Sequence, residues 1–186
     1  MEEIKGFSHV EYLAIFLAMV FAFVVAEFFE GWSSMLKRKG RYIPYWEHTL
    51  WTIILFISLI INWFLVWPRL QYIDKSMVTF FLLLLPALVF KIAGDFLFPK
   101  LINNIDLKLY LDEKSGIIFS LLGFYEFLQI SIDYILEVEV VFYITIFRFT
   151  LMLWSFLVAY TVNHKLRKIL SYVGVFMIIY IFIHGF

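Results

Sequence analysis

The chain has 186 residues, 63% of them hydrophobic and 22% aromatic, with a mean hydropathy of +0.91. A soluble domain carries roughly 45–50% apolar residues, and one of this size keeps too much wet surface to hide so many Phe, Leu and Ile side chains, so a polytopic membrane protein is expected. Fifteen Lys and Arg balance fifteen Asp and Glu, which argues against nucleic acid as a partner, and the lack of cysteine excludes disulfides, thiolate metal sites and cysteine nucleophiles.

A bilayer core is crossed by about 20 apolar residues of helix. The chain divides into six such units, which predicts an all-α fold, a single six-helix transmembrane domain over residues 1–186. The first span, about 11–35, is too long and too interrupted for a cleaved signal sequence and is read as retained. The second covers about 48–67 and the third 77–98. A polar connector, NNIDLKLYLDEKSG, then leads to spans at about 116–136, 140–162 and 169–183. Pro68, Pro99 and the Ser115-Gly116 pair fall at span edges, where helix breakers belong, whereas Pro86 falls mid-span and should kink or loosen the third helix. Runs such as VEVVFYI are ambiguous between helix and strand. Length decides for helix, because outer-membrane strands need only about 9–11 strictly alternating residues.

Lysine and arginine are unevenly placed between these spans. The face at the ends of spans one, three and five carries Lys37, Arg38, Lys39, Arg41, Lys100, Lys108, Lys114, Lys165, Arg167 and Lys168, and the other face carries Lys5, Arg69 and Lys75. Basic loops stay in the cytoplasm, so both termini are expected outside it, in a multi-pass protein of the cytoplasmic membrane. Trp32, Trp46 and Trp51 on one side and Trp67 on the other suit interfacial belts. Three spans followed by three suggest a weak 3+3 inverted repeat, since Phe56 to Trp63 and Phe147 to Trp154 share a spacing.

From Gly31 to Trp67 the chain runs through RKGRYIPYWEHTLW into an aromatic-rich helix, with Pro44, Tyr45, Trp46, His48 and Trp51 in a Pro-Tyr-Trp-x-His-x-x-Trp pattern. This stretch resembles one in small, uncharacterised bacterial multi-span integral membrane proteins, where a basic loop precedes the same start of the second helix. The resemblance implies a multi-span membrane protein and brings no activity with it.

The candidate functional residues are the polar ones at membrane depth, where an ionisable group costs about 2.5–3.5 kcal/mol and therefore faces protein or water. Glu126, Gln129, Asp133 and Glu137 step by three, four and four along one helical stripe. Arg148 and Asn62 fall at a depth comparable to Glu126, which makes Glu126 and Arg148 a candidate pair. Nearer the basic face, Glu27 and Glu30 are three apart and Lys91 and Asp95 four apart, spacings that bring side chains together, and His48 enters at the same height.

Two functions are consistent with this pattern. The first is a small cation or proton channel or transporter with an acidic outer vestibule and an inner half-path. The alternative is a non-transporting sensor or partner-binding subunit whose basic loop, residues 37–41, docks anionic lipid or protein. The charges also suit pairs that only hold helices in register. Bis-histidine haem is disfavoured because His9, His48, His164 and His184 all sit at span ends. Neither HExxH nor GxSxG occurs, so no catalytic residue, metal or cofactor is expected. Six helices enclose little interior, and a homo-oligomer within the lipid bilayer is expected.

Overall fold

The computed structural model describes residues 9–37, 42–99 and 105–184. Six helices follow one another: α1 (His9–Lys37), α2 (Trp46–Val66), α3 (Met77–Leu97), α4 (Leu107–Ile135), α5 (Phe142–Tyr160) and α6 (His164–His184). Two short strands, β1 (Tyr42–Ile43) and β2 (Ile105–Asp106), precede α2 and α4. The stretches Val10–Lys37, Trp46–Tyr72, Met77–Leu97, Leu107–Ile135 and Phe142–Tyr160 are long and apolar enough to cross a membrane. The helical, membrane-protein character read from composition therefore holds for five helices. α6 opens with Lys165, Arg167 and Lys168.

α6 begins at His164, ahead of the expected 169, and two further helices depart from their expected bounds. The connector NNIDLKLYLDEKSG is mostly helix, because α4 begins at Leu107, where Asp106 caps it by accepting from the Lys108 amide at 2.8 Å and from that of Leu109. Leu107, Leu111 and Ser115 then bury one face in steps of four. The second correction lies at Pro68. α2 passes there without a break into a 3-10 segment, Trp67–Lys75, with the proline in its first turn, so the missing N–H falls at the junction where the α-helical hydrogen bonding gives way. α3 runs through Pro86 unbroken from Ser76, whose hydroxyl accepts from the Thr79 amide at 3.2 Å.

β1 and β2 pair in parallel, Tyr42 opposite Ile105 and Ile43 opposite Asp106. β2 leads directly into α4 and β1 reaches α2 through Pro44 and Tyr45, so α2 and α4 start side by side and α1 and α3 end at the same face. The last turn of α3 leaves carbonyls without helical donors. His48 Nε2 donates to the Leu97 carbonyl at 2.8 Å and the Tyr110 hydroxyl to that of Phe96 at 2.9 Å.

The start of α6 is tied to this face by Arg167 to Asp112 at 3.0 Å and Lys168 to Glu47 at 3.1 Å. The Tyr172 hydroxyl also donates to Glu47, and its ring stacks on Trp46 with centroids 5.5 Å apart. Tyr45, just before α2, donates to Glu47 as well. Burial first, and then that carboxylate, push its phenol well above the usual range, so it remains a donor.

The core is built from Phe28, Leu59, Leu83, Phe90, Ile132 and Leu151. Trp51, expected in an interfacial belt, is instead buried, edge-on to Phe119 at 4.7 Å, while Trp46 and Trp67 are exposed. α4 packs chiefly on α5 and α3, and α1 chiefly on α3. In a 3+3 repeat α1 and α4 would be counterparts, and their packing differs.

Candidate functional site

α4 supplies the centre of the site. Glu126, Gln129 and Asp133 are buried on one face of the helix, as their spacing predicts. Glu137, the last residue of the stripe, lies beyond the helix end and is exposed. There it takes a left-handed backbone with φ 54°, and the Val138 amide turns back to the Asp133 carbonyl at 3.0 Å.

Asp133 binds two arginines. Arg69, from the 3-10 segment, donates to one carboxylate oxygen through Nε at 2.9 Å and Nη2 at 2.5 Å, and Arg148 Nη1 of α5 donates to the other. Arg69 Nη1 also reaches Gln129 Oε1 at 2.5 Å, and Gln129 Nε2 donates to Asn62 Oδ1 at 2.6 Å. One connected network therefore ties α2, the 3-10 segment, α4 and α5. Asn62 Nδ2 has no hydrogen-bond partner among the described residues.

The expected pairing of Glu126 with Arg148 is replaced by Asp133 with Arg148. Two helical turns separate Glu126 from Asp133, about 10 Å of rise. Arg148 extends toward the C-terminal end of α4, so its guanidinium meets Asp133 rather than Glu126. Among the described residues Glu126 makes no hydrogen bond or ion pair, and neither do Nε and Nη2 of Arg148. The buried ionic residues Arg69, Glu126, Asp133 and Arg148, together with the exposed Glu139, border a cavity of about 820 Å³ whose remaining wall is largely apolar, including Leu65, Leu122, Phe147 and Ile178.

Arg69 was expected in an outer loop, yet it is 2% exposed and makes three of the network's bonds. The expectation placed a span end at Pro68. The signal in the sequence was that proline itself, which suits the first turn of a continuing helical segment as well as it suits a break.

Nearer the basic face, Lys91 Nζ bridges Glu27 at 3.1 Å and Asp95 at 2.7 Å, linking α1 to α3 as their spacings anticipate. The Lys91 side chain is 43% exposed, so this triad lies on the outside of the bundle. Glu30 and His48 do not join it: Glu30 is exposed on α1, and His48 is buried on the Leu97 carbonyl. Of the haem candidates, His48 therefore spends Nε2 on backbone, and the side chains of His9, His164 and His184 lie outside the described residues. So do residues 38–41 of the basic loop. Among the described residues no cluster of three His, Asp or Glu side chains suits a metal ion.

The chain was compared with protein-family models, curated proteins and solved structures, and none matches.

Proposed function

We propose that the chain is a non-transporting membrane module, a sensor or partner-binding subunit, that takes a small ligand into the cavity between α2, the 3-10 segment, α4, α5 and α6. The cavity carries this reading. At about 820 Å³ it falls within the range of small-molecule sites, and it combines an apolar wall with a few converging polar groups. A cation path needs acidic groups open to water, and both oxygens of Asp133 are held by arginine. The rings of Phe90 of α3 and Tyr125 of α4 pack on each other with centroids 4.7 Å apart. The inner triad faces outward and does not extend the outer cluster. Reconstitution tests the proposal: liposomes under a membrane potential should pass neither cations nor protons, while a small-molecule screen should find compounds that raise the melting temperature.

The wider setting belongs to the same proposal. Six crossings, a cytoplasmic-membrane location and termini outside the cytoplasm are supported by the basic residues around the shared start of α2, α4 and α6. Docking of residues 37–41 on anionic lipid, self-association, and kinship with the small bacterial proteins whose PYWxHxxW start the chain resembles complete it.

A second reading, a small proton or cation channel or transporter, is favoured by Glu126, a buried carboxyl group facing the cavity without a hydrogen-bond partner among the described residues. Proton flux that disappears in Glu126→Gln would select it.

A further inference from the structure

We infer that the cavity is a site for a zwitterionic phospholipid of the surrounding bilayer, with the headgroup phosphate on Arg148 and the primary ammonium on Glu126. This rests on the cavity being a binding site and names what fills it. Three observations lead there.

First, two charged lining side chains with unused hydrogen-bonding capacity, Arg148 and Glu126, are of opposite sign and border the same space. Arg148 spends one nitrogen on Asp133, which leaves Nε and Nη2 for an anion, whereas Arg69 spends Nε, Nη1 and Nη2 inside the protein. Glu126 borders the same cavity without a bonded partner among the described residues. No hydrogen bond or ion pair joins the two among the described residues, and both border the cavity, so a group inserted there can meet each of them.

Second, the formal charges of the buried lining residues Arg69, Arg148, Asp133 and Glu126 cancel, and Glu139, the fifth ionic residue bordering the cavity, is exposed. In an apolar cavity an anionic ligand would leave one negative charge uncompensated and a cationic ligand one positive. A ligand bearing one charge of each sign restores every pair, and each contact is a charge-assisted hydrogen bond.

Third, the rest of the wall suits hydrocarbon. Leu65, Leu122, Phe147 and Ile178 border the cavity, and Val138 and Val141, between α4 and α5, border it where the helices end. Space of about 820 Å³ takes a headgroup and the upper part of one acyl chain, leaving the remainder in the bilayer.

The test is native mass spectrometry of purified protein released from mixed micelles carrying equal amounts of phosphatidylethanolamine, phosphatidylcholine and phosphatidylglycerol. The wild type should retain phosphatidylethanolamine about ten-fold better than either competitor, the worth of one charge-assisted hydrogen bond. Phosphatidylcholine offers Glu126 no N–H donor, and phosphatidylglycerol adds a net negative charge. Glu126→Gln leaves the site with one extra positive charge, so phosphatidylglycerol should overtake phosphatidylethanolamine. Arg148→Lys, which keeps the pair with Asp133 but lacks the planar fork, should lower retention of all three.

Equal retention of the three lipids by the wild type, or an unchanged order in Glu126→Gln, overturns the lipid assignment. If no lipid is retained but a soluble compound raises the melting temperature, the assignment falls and the cavity as a binding site stands. If the liposomes conduct, the proposed function falls first.

Discussion

Replacing Asp133 by asparagine removes the carboxylate that two buried guanidinium groups contact. The Arg69, Asp133 and Arg148 side chains are 3%, 10% and 10% exposed, so water does little to screen the charges left behind. Breaking a buried ion pair by removing one partner costs about 3–5 kcal/mol, and here a single change strands two cations that also repel each other. The carbonyl of the introduced amide can still accept one hydrogen bond, which keeps the expected loss within that range. At about 2–4 °C per kcal/mol for a chain of this size, the melting temperature should fall by roughly 6–20 °C. Tryptophan fluorescence during thermal unfolding, with both proteins in the same micelle, measures it. The triple variant Arg69→Met, Asp133→Leu, Arg148→Met should recover most of the loss, because a whole buried ion group can give way to apolar side chains at little net cost. A loss below about 1 kcal/mol for Asp133→Asn, as for exposed ion pairs, would refute the reasoning. So would a triple variant no more stable than the single one.

Glu126→Gln, seven residues away, should change stability by less than about 1 kcal/mol in the same assay, since it breaks no hydrogen bond among the described residues. Glu137→Gly should raise the melting temperature, because φ 54° costs an L-residue about 1 kcal/mol that glycine avoids; an unchanged or lower value contradicts this. Gly174→Ala places a methyl group against the Trp154 ring, which is fixed by its indole N–H on the Leu170 carbonyl at 3.1 Å. Overpacking there should cost about 1–3 kcal/mol and loosen α6 from α5, detected as faster proteolysis at the α5–α6 turn. Because the chain has no cysteine, single cysteines report topology cleanly. In intact cells an impermeant maleimide should label Glu139→Cys and spare Lys108→Cys, and the reverse pattern would invert the proposed orientation.

Much of the fold was legible because lipid punishes polar backbone and side chains so strongly. Apolar runs of helical length had to be helices, and the basic residues gathered around one set of ends, which the parallel β1–β2 pair and the Lys168–Glu47 and Arg167–Asp112 contacts bring to one face. The i, i+3 and i, i+4 spacings also anticipated the Lys91 triad and the common face of Glu126, Gln129 and Asp133, because helix geometry alone sets them. Polarity misled at NNIDLKLYLDEKSG. A helix that extends past the apolar layer can expose charges there, and its signature was the Asp106 cap with Leu107 and Leu111 on one side.

Pairing between helices was a different matter. Composition placed Glu126 and Arg148 at similar depth, but whether Arg148 met Glu126 or Asp133 depended on how α4 and α5 rotate and slide against each other. Arg69 became the third member of the cluster only because the 3-10 segment carries it inward past Pro68. Depth along a helix follows from counting residues. The partner across a helix interface follows from packing many side chains at once, and that information is spread over the whole chain.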